Sequence, residues 1–241
     1  MERTGSSSAP ARVVLIAVAS VDGKITTADN AGPRFASAND KAFLRQMRGD
    51  ADAVVIGAGT VANDNPAFWT PSSLKEKRRS AGRWATPLRA VVSGRGNIPP
   101  NARLFFGHES PAVVFCADIV DPERERALKE VAQVRRAGER SVNPRRVVEI
   151  LRREYGAERI LLEGGGQVNS AFLEAGCVDE VLLTVSPCLI GGQGLPTLVG
   201  GQGLPLEKLV PLKLASVRIA GDDLFLRYTI RMDDPAPSVE M

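Results

Sequence analysis

Apolar residues fall in short unbroken runs separated by polar, Gly-rich and Pro-rich stretches, and the run lengths set the elements. Val13 to Ala19 is apolar throughout, too short for a helix and rich in Val, which predicts a strand buried on both faces. Ala53–Ile56, Leu88–Val92, Ala112–Phe115, Arg159–Leu162 and Val181–Val185 predict further strands, with a short one at Val131–Val134. Helical spacing appears between them. Asn39 is placed to cap a helix running to about Arg48, with Phe43, Leu44 and Met47 on one face. Asp121-Pro122-Glu123 and Asn143-Pro144 start two more, the second stopped by Gly156, and Gln167–Ala175 makes a fourth. The segment from Gly57 to Gly82 repeats Asn, Asp, Pro and Ser and predicts a long loop with room for one short helix. Leu214–Ile219 and Leu224–Ile230 flank Gly221-Asp222-Asp223 and predict an antiparallel hairpin.

Strands alternating with helices and ending in a hairpin define the expected fold class: α/β, a single domain, a mostly parallel central sheet with an antiparallel C-terminal hairpin. That domain is expected over 12–231. A polar, Ser-rich tail over 1–11 is expected to be disordered, and 232–241 to form a C-terminal tail. Residues 191–196 and 200–205 both read Gly-Gly-Gln-Gly-Leu-Pro, two copies being too few for a repeat architecture; a flexible surface loop is expected there.

Composition narrows the partners. A formal net charge of +3 over 241 residues suits a small anionic ligand, and the absence of a concentrated basic patch excludes a nucleic-acid protein. The runs Lys75–Arg79 and Arg135–Arg146 read as solvated surface. No apolar stretch is long enough for a membrane span, the N-terminus lacks the apolar core of a signal peptide, and a cytoplasmic location is expected. Three widely spaced cysteines form neither a disulfide framework nor a metal motif; Cys116 and Cys188 are expected to be core thiols. The lone histidine, His108, is expected on the surface, so metal and triad chemistry have little to build on.

Two glycine turns follow predicted strands. Gly57-Ala58-Gly59-Thr60-Val61-Ala62 matches a dinucleotide fingerprint superficially, but Asn63-Asp64-Asn65-Pro66 forbids the long helix that motif requires. A ligand-approach turn and an ordinary tight turn fit that spacing equally well. At Glu163-Gly164-Gly165-Gly166-Gln167, one glycine satisfies helix–strand packing, whereas three expose backbone N–H groups to a phosphate. Ser93-Gly94-Arg95 supplies a hydroxyl, bare backbone and a guanidinium suited to a phosphate monoester, though alone it reads as a turn. Asp22, Lys24, Asp64 and Glu163 all fall at predicted strand ends or just beyond them, where open α/β sheets bind ligands.

Together, Ser20-Val21-Asp22-Gly23-Lys24, Arg48 through Asp52–Val61, Asp64-Asn65-Pro66, Leu162–Gly166, Phe172-Leu173, Val178-Asp179-Glu180 and Pro187–Gly192 resemble the reductase domain of the riboflavin-pathway bifunctional deaminase–reductase family. The resemblance runs from about residue 12 to about 230 and implies a dihydrofolate-reductase-like fold, NADPH as cofactor and a homodimer, in stand-alone form without the deaminase half. It implies that Gly57, Gly59, Thr60 and Val61 line the cofactor cleft, that Gly164, Gly165 and Gly166 hold the pyrophosphate, and that Ser93 and Arg95 hold the 2′-phosphate. It further implies Lys24, Asp64 and Glu163 as catalytic residues, Ser20, Asp22, Arg48 and Asn65 as substrate contacts, and no metal. The implied reaction is hydride transfer to C1′ of a ribosylamino-pyrimidine 5′-phosphate. The sequence departs from the family after Pro66: Ala67-Phe68-Trp69-Thr70-Pro71 replaces Leu-Thr-Val-Arg, so Pro71 stands where an arginine is expected to meet substrate phosphate. That departure keeps open a reductase of a pterin such as dihydrofolate, and a non-catalytic dinucleotide-binding or regulatory module that retains the glycine turns is a third reading.

Overall fold

The computed structural model describes residues 11–30 and 32–230; the tails expected over 1–11 and 232–241 fall outside them, apart from Ala11. Nine strands, β1 (Arg12–Ser20), β2 (Ala53–Gly57), β3 (Leu88–Val92), β4 (Ala112–Cys116), β5 (Gln133–Arg136), β6 (Arg159–Gly164), β7 (Glu180–Ser186), β8 (Leu212–Ala220) and β9 (Asp223–Ile230), form one sheet. Their order is β5-β4-β3-β2-β6-β1-β7-β9-β8. Only β9 runs against its neighbours; every other pairing is parallel. Helices α1 (Ala38–Asp50), α2 (Ala58–Asp64), α3 (Ser72–Ser80), α4 (Pro122–Lys129), α5 (Pro144–Tyr155) and α6 (Gly166–Glu174) complete the chain.

The unbroken apolar runs exist because both faces of the sheet are covered. Along β1, Val14 and Ile16 enter one core with Phe43, Leu44 and Met47 of α1 and Leu128 of α4. Val13 and Leu15 enter the other, with Val147, Ile150 and Leu151 of α5 and Phe172 of α6. β2 divides the same way, Val54 and Ile56 against Ala53 and Val55. Asp121 and Asn143 cap α4 and α5 through their side chains, each ahead of a proline, and Gly156 ends α5 at φ 63°.

Several local expectations are corrected. Ser37, not Asn39, caps α1, its hydroxyl accepting from the Asp40 N–H at 3.0 Å, while Asn39 donates to the Ala220 carbonyl across the molecule. The short strand is displaced to Gln133–Arg136. The 57–82 stretch holds α2 and α3, two helices where room for one was expected. α3 carries one apolar residue, Leu74, which packs against Gly49 of α1 so closely that a Cβ there would lie 2.7 Å from it. Arg78, expected in a solvated run, is buried; its guanidinium donates to the carbonyls of Gly49, Ala51 and Trp84 and fastens α3 under the end of α1. Cys116 is in the core, but Cys188 is only half-buried in the loop after β7. His108 is half-buried rather than free on the surface.

Candidate active site

β2 and β6 are neighbours in the sheet, and each ends in a turn that starts a helix: Gly57 precedes α2 and Gly165 precedes α6. Their free N–H groups and positive dipole ends therefore lie side by side at the carboxyl edge of the sheet. The hydroxyl of Thr60 donates to the Gly164 carbonyl at 2.9 Å and ties the two turns together. Between them opens a cleft of about 930 Å³. Among the described residues that line it, ten of twenty-five are glycine, so backbone faces whatever occupies it, and Asp64 is the only charged one. The Asp64 carboxyl has no hydrogen-bond partner among the described residues, lies against Gly32, and burial raises its pKa above the usual value.

Beside the cleft, the Arg48 guanidinium donates from Nε and Nη2 to the two oxygens of Glu163, both at 2.6 Å, and stacks over the Phe68 ring with 4.5 Å to its centroid. Burial opposes the Arg48 charge and the Glu163 carboxylate outweighs it, so the guanidinium's pKa ends above its ordinary value.

The model of the RibD C-terminal domain family matches residues 11–226. This chain belongs to that family. It is 33% identical over 220 residues to the 2,5-diamino-6-ribosylamino-4(3H)-pyrimidinone 5′-phosphate reductase of Methanothermobacter thermautotrophicus, an alignment covering 91% of this chain and 98% of that one. A reductase of the same name from Archaeoglobus fulgidus is 35% identical over 180 residues, 74% of this chain and 81% of that one. A pyrimidine reductase-like protein of Corynebacterium diphtheriae shares the fold, with a TM-score of 0.81 over 92% of this chain and 93% of that one at 24% identity. The fold expected from the sequence, dihydrofolate-reductase-like and mostly parallel, is the one found.

The RibD-type cleft gathers Gly57, Gly59, Thr60, Asp64, Ser93, Gly165 and Gly166 from the expected site. The others stand elsewhere. Val61 is buried in the core, and Gly164 sits behind the cleft as the acceptor for Thr60. Arg95 is exposed, one residue beyond the lining Ser93-Gly94. Glu163 and Arg48, expected to meet substrate separately, hold each other. Asn65 ends α2 in the left-handed conformation and accepts from the Arg103 N–H, 2.8 Å away. The glycine argument also needs correction, because packing accounts for the glycines on its own. A Cβ on Gly164, at φ +56°, would lie 1.8 Å from Asn169 Oδ1, and one on Gly166 would lie 2.8 Å from the Thr197 carbonyl oxygen. Gly59 differs: its Cβ would meet nothing within 4 Å, and it faces the open cleft.

The Gly-Gly-Gln-Gly-Leu-Pro repeat, expected as a surface loop, forms one wall of the cleft through Gly194–Pro196 and Gly200–Gly203. Several hydrogen bonds fasten it, one of them from the Asn169 side-chain amide to the Leu198 carbonyl at 2.8 Å. Lys24 bridges to Thr197, the Ile25 N–H donates to the Pro196 carbonyl at 3.1 Å, and the Gly200 N–H donates to the Gly166 carbonyl at 2.9 Å. Lys24 thus contributes backbone pairing, and its amino group has no partner among the described residues. Asp22 anchors the loop's base: Ser20 donates its hydroxyl to Oδ1 at 2.7 Å, and the N–H groups of Ile190 and Gly191 donate at 3.0 and 2.7 Å. The repeat itself was the signal available in the sequence.

The hydrogen bond from Ser20, then those from Ile190 and Gly191, lower the Asp22 pKa from 3.8 to about 2. A depressed carboxyl pKa contributes stability that is present above the unfolded value of 3.8 and is lost as pH falls through about 2. Asp22→Asn removes that titration. Thermal unfolding followed from pH 5 to pH 2 is expected to fall less steeply for the variant than for the parent; parallel curves would show that Asp22 does not hold the loop.

Proposed function

We propose that this chain is an NADPH-dependent reductase of 2,5-diamino-6-ribosylamino-4(3H)-pyrimidinone 5′-phosphate in riboflavin biosynthesis. The observation that carries the reading is the pairing of two helix N-termini across one glycine-lined cleft, in a chain one-third identical to reductases that bear that name. The cleft fits a phosphorylated dinucleotide. Its volume suits a ligand of that size, its exposed amides and helix dipoles suit phosphates, and Gly59 leaves its backbone open to close approach. Gly57, Gly59, Thr60, Gly165 and Gly166 hold the pyrophosphate region, and Ser93 with Arg95 at the rim holds the 2′-phosphate.

When bound, NADPH would supply a hydride, for which C1′ of the opened ribose, electrophilic in its imine form, would be the acceptor. The chain's share is to position and to supply a proton. Asp64 is the group placed for that: it lines the cleft, has no competing hydrogen bond among the described residues, and retains a proton to a higher pH than an ordinary carboxyl. Glu163 keeps Arg48 in place at the same edge of the sheet, and Lys24 stands half-buried beside the lining Ile25 and Thr26. Three unpaired cysteines suit a reducing, cytoplasmic setting.

We also assign a homodimer to the edge of the sheet. Leu212 and Leu214 alternate along β8, a bulge falls between Leu214 and Ser216, and Val217 and Ile219 resume with the opposite parity. The bulge returns all four side chains to one face, where they are exposed, Ile219 by 69%. A long apolar edge of this kind is covered in a stable protein.

Purified protein is expected to oxidise NADPH with this pyrimidine and not with dihydrofolate; turnover of dihydrofolate alone would replace the assignment, and NADPH binding without either turnover would favour the non-catalytic module. Asp64→Asn is expected to lower kcat about 100-fold while NADPH affinity stays within about threefold; an unchanged rate would remove Asp64 from the chemistry. Gly59→Val is expected to fold normally and weaken NADPH at least about tenfold, read by equilibrium titration. Arg95→Ala is expected to weaken NADPH about tenfold and NADH hardly at all; equal losses would take Arg95 out of the 2′-phosphate site. Ile219→Lys is expected to turn a dimer into a monomer in sedimentation equilibrium.

A further inference from the structure

A second cavity, of about 380 Å³, lies against the loop where the chain departs from its family, and it shares no lining residue with the glycine cleft. Its walls combine features that are rare together. Trp69 and Phe106 line it while remaining exposed by 64% and 54%, which is unusual for large aromatic side chains that have no ligand or partner to cover. Lys75 and Arg103 line it as well, neither has an ion pair among the described residues, and no acidic residue is in the lining.

Behind the wall stands an unbalanced charge. Arg89 is buried in β3 and donates to the carbonyls of Leu104 and Ser110, with no carboxylate partner among the described residues. Burial lowers its pKa to about 10. Its charge reaches the cavity, because after burial it is the next cause lowering the pKa of lining His108, to about 4. Some of the polar atoms around it are unsatisfied as well. Of six buried side-chain atoms without a hydrogen-bond partner among the described residues, three are Thr70 Oγ1, His108 Nδ1 and Arg89 Nε. Isolated buried cations and unpaired polar atoms are costly, and such costs persist where an incoming group relieves them.

We propose that this cavity is a second binding site, for a compact planar aromatic ring carrying one carboxylate or phosphate group. Trp69 and Phe106 supply the ring faces, Lys75 and Arg103 meet the anion, and the anion's charge offsets that of Arg89. The segment Ala67–Pro71 is therefore more than a degraded substrate contact: it brings Trp69 and Thr70 to a site of its own.

Calorimetric titration of the full chain with orotate, GMP, guanosine and inorganic phosphate at low salt tests this. Orotate or GMP is expected to bind with a Kd below about 1 mM, and guanosine and phosphate at least about tenfold more weakly. Binding by orotate alone identifies a free aromatic carboxylate as the ligand type, and binding by GMP alone a nucleotide. Trp69→Ala and Lys75→Ala, both at surface positions and checked for folding by circular dichroism, are each expected to weaken the bound probe at least about fivefold. Gly59→Val, which obstructs the glycine cleft, is expected to leave it unchanged. No saturable binding of either aromatic anion, or binding that survives Trp69→Ala and Lys75→Ala, would overturn the proposal. So would loss of binding in Gly59→Val alone, which would place the probe in the other cleft.

Discussion

The hydrogen bond from Thr60 to the Gly164 carbonyl sits at the point on which the rest of the site depends. It joins the ends of two neighbouring parallel strands, β2 and β6, just where each gives way to a helix. A parallel sheet puts all such turns at one edge, and crossover helices then start there with unpaired amides pointing outward. The chain uses two of these starts together. Since Asp64 is the only charged residue lining the cleft among the described residues, the phosphate binding proposed for it rests on oriented backbone, with Arg95 available only at the rim. Such a surface demands that side chains stay out, and glycine-lined walls are the result.

A second group of polar residues holds that surface in shape. Asp22 pins the loop after β7, Asn65 ends α2 and receives the Arg103 amide, and Arg48 and Glu163 neutralise each other over Phe68. These are the charged and polar positions that a motif comparison marks as functional. Their geometry separates them from Asp64, which has no such engagement among the described residues and whose carboxyl is free to take up or release a proton in the cleft. A buried, bidentate arginine–carboxylate pair is costly to break from one side, so Glu163 is suited to positioning rather than to proton transfer.

How much of this was legible in the sequence follows from which signals are local. The strands were visible because both sheet faces are covered, leaving runs such as Val13–Ala19 with no polar interruption. α4 and α5 announced themselves through Asp and Asn caps ahead of proline. α3 did not, since one leucine gives no periodicity and its anchor, buried Arg78, looks like any surface arginine until Gly49 and Ala51 are brought beside it. Ser37 rather than Asn39 capping α1 is likewise a matter of two residues and a distant Asp223. At the site, the two glycine turns and Asp64 were readable. The wall built from the Gly-Gly-Gln-Gly-Leu-Pro repeat was not, because its position depends on backbone pairing with Lys24 and Gly166, far away in sequence.

Backbone amides at two joined turns, rather than a cluster of basic side chains, are held here to grip the phosphorylated carrier. Amide hydrogen exchange with and without saturating NADPH addresses that directly. Protection is expected at residues 57–60 and 165–168 and along the 194–203 wall. A bound complex that protects none of these amides would contradict it.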